Sequence, residues 1–252
     1  MPKFITVTNQ KGGVGKTSLA IHIAAYAASV GKKTLLVDMD SQCNATFILT
    51  EKAKQDAYCV VDLWDGESSP EFMDTRFGKV KLLPGSESVG SIEKQGLAAG
   101  VTALKRLGKT DYDVIVFDSP PAAGVQQFAP LYLGGVMVAP VEPDLLAMQG
   151  VVSLLKIWNG LKTRVKLVPG IVINKRVLNS TNQQAVVDLL RSSPFGKYVL
   201  STQLTNRQLV SNAMKRGLAV WEADRTDPAA AAWAGVCQKV LSLDEECDDG
   251  KD

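Results

Sequence analysis

Histidine occurs once in the 252 residues, at His22, and cysteine four times, at Cys43, Cys59, Cys237 and Cys247. No pair of cysteines has C-x-x-C spacing, so neither a zinc finger nor a disulfide framework organises the chain. The thiols read as reduced, in a cytosolic protein. No apolar run approaches about 18 uninterrupted residues, and no charged-then-apolar leader precedes the first apolar stretch. A soluble, unexported protein is expected. Internal repeats and low-complexity linkers are also absent, and the length suits one large α/β domain over residues 1–243.

Net charge is scarce as well, at +2, but it is unevenly spread. Residues 151–243 carry thirteen Lys/Arg against four Asp/Glu, whereas 244–252 carry six acids and Lys251 and read as a disordered acidic tail. A local basic excess fits a polyanionic partner. It fits equally a solvated surface whose lysines point in different directions.

What the chain does have is a glycine loop. Phe4-Ile5-Thr6-Val7 reads as a buried strand, Asn9-Gln10-Lys11-Gly12-Gly13-Val14-Gly15-Lys16-Thr17-Ser18 follows it, and an Ala-rich helix opens at 17 and closes at Gly31. Glycines without Cβ let successive N–H groups converge on phosphate oxygens at a helix N-terminus. Lys16 then sits on the β/γ-phosphates and the Thr17 hydroxyl on Mg²⁺. The pattern G-x-x-x-x-G-K-[ST] is not quite met, because Gln10 stands at its first glycine. Instead Lys11 adds a second lysine at the mouth of the loop, placed to act on a neighbour's nucleotide.

Further strands are expected at Lys33–Asp38, Lys79–Leu83, Tyr112–Asp118, Val136–Val141, Lys166–Asn174 and Tyr198–Leu200, apolar enough to be buried on both faces. Helices are expected over 86–107, 144–161, 181–191, 206–216 and 227–243, with Asp227-Pro228 as cap and first residue of the last. Residues 50–78 read as a variable loop with a short helix near Val60–Trp64. Asp38, Asp40 and Asp118 leave strand ends where parallel sheets bind ligands, and Asp118 stands beside the loop to hold Mg²⁺ through water. His22 reads as a plain helix residue.

The run K-G-G-V-G-K-T from Lys11 to Thr17 resembles the deviant Walker A motif of the ParA/MinD family of P-loop ATPases, and the flanking N-Q and S-L-A resemble ParA proper. Asp38-Met39-Asp40-Ser41-Gln42-Cys43-Asn44-Ala45-Thr46 is similar to the family's switch I, with Ser41 for a proline and Cys43 for a common glycine. Asp118-Ser119-Pro120-Pro121 resembles the start of switch II, Gln149-Gly150 the interface helix, and Ala213 to Trp221 the C-terminal pattern. The resemblance runs from Lys3 to about Leu243.

It implies a P-loop NTPase fold with a mostly parallel twisted sheet flanked by helices on both faces. It further implies weak ATPase activity with ATP and Mg²⁺, bound by Lys11, Gly12, Gly13, Val14, Gly15, Lys16, Thr17, Ser18 and Asn174. Thr17, Asp40 and Asp118 would serve the metal, Asp40 would orient the attacking water, Asp38 would lend structural support, and Lys11 would cross a homodimer to the partner's ATP. Asn174 would read adenine, or merely form a turn. Function would be ATP-dependent partition of a plasmid or chromosome, nucleoid-associated in the cytoplasm, with a ParB-type activator and non-specific DNA binding. The candidate DNA contacts are Lys175, Arg176, Arg207, Lys215, Arg216 and Arg225.

Three alternatives stay open at this stage. A MinD-type membrane ATPase would end in a basic amphipathic helix, and this chain ends in acids. A nitrogenase-iron-protein-like role would need cysteines after Asp118, and none lies between Cys59 and Cys237. A ParA-like ATPase that positions a protein cargo shares every motif above. No helix-turn-helix segment precedes the glycine loop, so operator recognition by an N-terminal domain is not expected.

Overall fold

Strands that are apolar at successive positions, such as Leu35-Leu36-Val37, need cover on both faces, and the fold supplies it. The computed structural model describes residues 1–51, 58–66, 68–144 and 146–243. The acidic stretch 244–252, with Cys247, lies outside the described residues. Within them run β1 (Lys3–Val7), α1 (Lys16–Ser29), β2 (Thr34–Asp38), α2 (Asn44–Thr50), β3 (Met73–Asp74), β4 (Val80–Leu83), α3 (Gly96–Lys105) and β5 (Val114–Asp118). Then follow α4 (Val125–Phe128), β6 (Gly135–Val141), α5 (Ala147–Leu161), β7 (Leu167–Ile173), α6 (Thr181–Ser192), α7 (Gln208–Lys215), α8 (Val220–Ala223) and α9 (Pro228–Ser242).

These strands form one sheet in the order β3-β4-β2-β5-β1-β6-β7. All pairings are parallel except that of β3 with β4. Alternate side chains go to opposite faces. Leu36, Val116 and Val172 pack in the cluster that holds α1 and α9, while Leu35, Val37, Ile115 and Phe117 pack with α3 and the turn Val60–Trp64. Ile171 and Ile173 pack beneath α5 and α6. This is the α/β P-loop fold with helices on both faces, as the sequence predicts.

Helix α1 is buried along most of its length, which suits its alanines. Its His22 is fully buried between two elements: Nδ1–H donates to the Ser18 carbonyl (2.7 Å) and Nε2 accepts from the Val220 amide (3.2 Å). Burial pushes its pKa down to about 4, so the ring stays neutral and ties α1 to the start of α8. Gly31, at φ +86°, then turns the chain out of the helix, and Lys32 N–H reaches back to the Ala27 carbonyl (3.0 Å).

Four details differ from expectation. The helix over 86–107 is broken: a 3₁₀ segment, Glu87–Gln95, capped by Ser86, precedes α3, and Gly96 at φ +78° makes the break. The short strand at 198–200 is instead a 3₁₀ turn, Gly196–Tyr198, after which Val199 makes only an isolated bridge to Ile171. The helix over 206–216 runs only from Gln208 to Lys215, with α8 as a separate turn after Gly217. The fourth is β3, an antiparallel edge of two residues inside the stretch read as loop.

Candidate functional site: a glycine loop among three aspartates

Strand register decides which acids meet the loop. Val7, the last residue of β1, pairs with Asp118, and Asp38 of β2 pairs with the same residue from the other side. The loop leaving β1 therefore passes beside two carboxylates at the C-terminal edge of the sheet, the edge where such folds hold ligands.

The loop is framed by Asn9, which the sequence reading left without a role. Its Nδ2 donates to the Pro140 carbonyl (2.8 Å), and its Oδ1 accepts from the Lys11 amide (2.9 Å). Gly13 and Gly15 take φ of +73° and +95°. At Gly15 space forbids a side chain as well as conformation, because a Cβ there would lie 2.3 Å from Asn174 Nδ2. That Nδ2 donates to the Val14 carbonyl (2.8 Å) and buttresses the loop. An amide nitrogen has two hydrogens, so one is spent on Val14.

Lys16 is buried, and its ammonium donates to the Lys11 carbonyl (3.1 Å) across the loop. Burial lowers its pKa, and the charges of Asp118 and Asp40 oppose that effect. The Lys11 side chain turns the other way and pairs with Asp144, just ahead of α5. That pairing, first among the causes, holds the Asp144 carboxyl below the usual range.

The three aspartates divide by environment. Asp38 is fully buried and satisfied: Oδ2 accepts from the Thr46 amide (2.8 Å) and hydroxyl (2.7 Å), and Oδ1 accepts from the Asp40 amide (3.1 Å). It pins the start of α2, which is structural support, while burial raises its pKa to about 6. Asp40 is partly exposed and accepts from the Gln42 amide (3.0 Å). Asp118 is buried, and neither of its oxygens accepts a hydrogen bond of full geometry, the Thr17 hydroxyl being the nearest donor. Burial first, and the Asp38 charge second, hold its pKa well above the carboxylate range, against the Thr17 hydroxyl and the Lys16 ammonium.

Two orphaned carboxylate oxygens next to a threonine hydroxyl fit a hydrated magnesium ion, which takes oxygen donors and keeps several of its waters. Thr17 and Asp118 meet at this point, and Asp40 is near enough for its charge to be felt by Asp118.

Cys43 stands where the resemblance expects glycine, and its φ of +50° shows why glycine suits the place. Cys43→Gly is expected to raise unfolding free energy by about 0.5–1 kcal/mol, read by urea denaturation. An unchanged or lowered midpoint would count against strain at this position.

Beside the loop opens a cavity of about 670 Å³. Gly15, Ser18 and Asn174 line it together with Phe47 and Ile48 of α2 and with Arg207, Val210, Met214 and Lys215 on and beside α7. Of the basic residues predicted to touch DNA, Lys175, Arg207 and Lys215 line this cavity, whereas Arg216 and Arg225 are exposed but not part of the lining. Arg207 is paired with Asp227 (3.3 Å). Arg176 must be withdrawn from that set. It is only 7% exposed, and its guanidinium is committed to the Val177 carbonyl and to Gln183 and Gln184.

No helix among the described residues is long and apolar enough to cross a membrane. A family model described as an AAA domain matches residues 2–168. The chromosome-partitioning ATPase Soj of Thermus thermophilus is 33% identical over 248 residues, covering 96% of each chain. The Soj of Treponema pallidum is 28% identical over 255 residues, covering 97% of this chain and 99% of its own. Among solved structures, an ATP complex of a Cyanothece McdA variant superposes with a TM-score of 0.83 over 96% of this chain and 97% of its own, at 17% identity, which speaks to fold alone. With its second lysine turned out of the glycine loop and its aspartates gathered beside it, the chain belongs to the ParA/MinD superfamily of deviant Walker A P-loop ATPases.

Proposed function

We propose that the protein is a partition ATPase that dimerises around ATP, holds DNA without sequence preference in that state, and lets go after hydrolysis stimulated by a ParB-type activator. The observation that carries this reading is the direction of Lys11. Its ammonium lies on Asp144, at the foot of α5, and not on its own loop, which supports a role for it on the nucleotide of a second copy.

Within one protomer, the loop amides from Gly12 to Ser18 and the Lys16 ammonium bind and orient the phosphates, and the nucleoside enters the cavity beside Asn174. Asp40 orients the attacking water, and Thr17 and Asp118 face the metal side. A magnesium ion held there would neutralise charge building on the β- and γ-phosphates. Lys11 of the second copy adds positive charge where the transferring phosphoryl group gathers negative charge.

For DNA, Lys175, Arg207, Lys215, Arg216 and Arg225 are the contacts. Doubling this set in a dimer multiplies a weak, sequence-blind attraction. The test is fluorescence anisotropy on unrelated duplexes with and without a nonhydrolysable ATP analogue. Tighter binding of every duplex in the ATP state is expected, with Lys215→Ala lowering the slope of log affinity against log salt by about one per protomer. An affinity indifferent to ATP would defeat the reading. Co-sedimentation with anionic liposomes distinguishes the membrane-associated alternative, whereas a protein cargo would keep the same ATPase cycle and change only the partner that reads the cargo.

A further inference from the structure

Arg76 lies in the turn between β3 and β4, outside every motif the sequence offers. Its side chain is only 24% exposed. Nε donates to the Ile48 carbonyl (2.8 Å), one terminal nitrogen pairs with Glu51, and the other donates to the Met214 (2.9 Å) and Lys215 (3.0 Å) carbonyls. The Arg76 amide adds a bond to the Leu49 carbonyl (3.0 Å). Ile48 and Leu49 belong to the last turn of α2, and Met214 and Lys215 to the last turn of α7. Carbonyls in a last helical turn have no partner within their own helix. One guanidinium thus satisfies the C-terminal ends of two helices that lie far apart in the chain, α2 ending at Thr50 and α7 beginning at Gln208.

The two helices have different duties. The start of α2 is fixed by Asp38 through Thr46, and the loop that carries Asp40 feeds directly into it. At the other end of the arginine, α7 carries Arg207 at its cap and Lys215 in its last turn. The nucleoside cavity lies between them, and Arg76 is part of its lining. Gly217, at φ +71°, ends α7, and a Cβ there would come within 2.8 Å of the Arg76 stem, so the chain leaves room for this side chain.

We propose that Arg76 is a positioning residue that transmits the nucleotide-dependent setting of the Asp40 loop and α2 to α7, and so sets the DNA-contacting basic residues. It rests on the function proposed above. A planar fork is required, because a single ammonium cannot span the Ile48 carbonyl, the Glu51 carboxylate and the two α7 carbonyls together. Motion of α2 on phosphate binding then obliges α7 to follow.

The test uses the full chain and Arg76→Lys, which keeps the charge and loses the fork. With each protein saturated by the ATP analogue at a concentration set by its own titration, the ATP-dependent gain in DNA affinity should shrink about fivefold or more in the variant. A purely structural staple would lower thermal stability and leave that gain intact, and this result would overturn the proposal. Hydrogen exchange on the wild-type protein decides independently of how the variant folds. ATP analogue should alter protection in α2 and in α7 together, and a change confined to α2 would refute the coupling. Wild-type DNA affinity that ignores ATP would sink the partition reading instead, and the exchange measurement would still judge Arg76.

Discussion

Lys11→Ala is expected to yield a protein that binds ATP, remains monomeric with a nonhydrolysable analogue, and turns ATP over about 10³-fold more slowly than wild type in the presence of DNA and activator, the scale on which a cation supplied in trans acts in phosphoryl transfer. The backbone explains why binding survives. Lys16 uses the Lys11 carbonyl, and Asn9 uses its amide, so alanine preserves both hydrogen bonds. Only the outward ammonium is lost. Its partner in the single chain, Asp144, is half exposed, and an ion pair of that kind contributes little to stability. Asp144→Ala should therefore leave melting almost unchanged and still dimerise. Light scattering after size exclusion measures the mass, and a Lys11→Ala dimer with normal turnover would remove the ground for a trans-acting lysine.

Asp118→Asn should change stability and turnover in opposite directions. An unpartnered buried charge costs roughly 1–3 kcal/mol or more, and the amide relieves it, so the nucleotide-free variant should melt several degrees higher. Magnesium-dependent turnover should fall about a hundredfold or more, since the carboxylate facing the metal is gone. The pH dependence gives the sign. Asp118 has a raised pKa in the fold, so its destabilising effect is absent below about pH 4, grows as the pH climbs from there to that elevated value, and is constant above it. The advantage of the asparagine should accordingly vanish in acid and widen toward neutrality. Equal melting of both proteins at neutral pH would show that Asp118 is satisfied in the fold, contrary to its geometry.

Local chemistry made much of this readable from residues alone. The loop from Lys11 to Ser18 declares itself through glycines and lysines at fixed spacing, and the strands through runs that are apolar on both faces. Asp118 and Asp38 were placed by strand ends, and the register confirms that they flank the loop. What the sequence hid depends on distance along the chain or on one dihedral angle. The Lys11–Asp144 pair spans 133 residues, and nothing near either residue announces the other. Arg176 looked like surface charge because a string of letters does not say which arginine is buried. Gly96 weakens a helix in any scale of propensity, but only its positive φ shows that it breaks one. Arg76 had no motif at all, since its partners are backbone carbonyls, which every residue possesses.

The sheet has two rims, and both are guarded. Beyond β7 the chain runs alongside with Leu200 N–H on the Ile171 carbonyl (2.9 Å) and Leu204 N–H on the Ile173 carbonyl (2.8 Å), while the opposite rim is a strand of only two residues. Among the described residues neither offers a long row of open amide groups as a template for another chain. Growth of an assembly by pairing strands edge to edge is thereby disfavoured, and contact between copies through faces and helices is what these rims leave open.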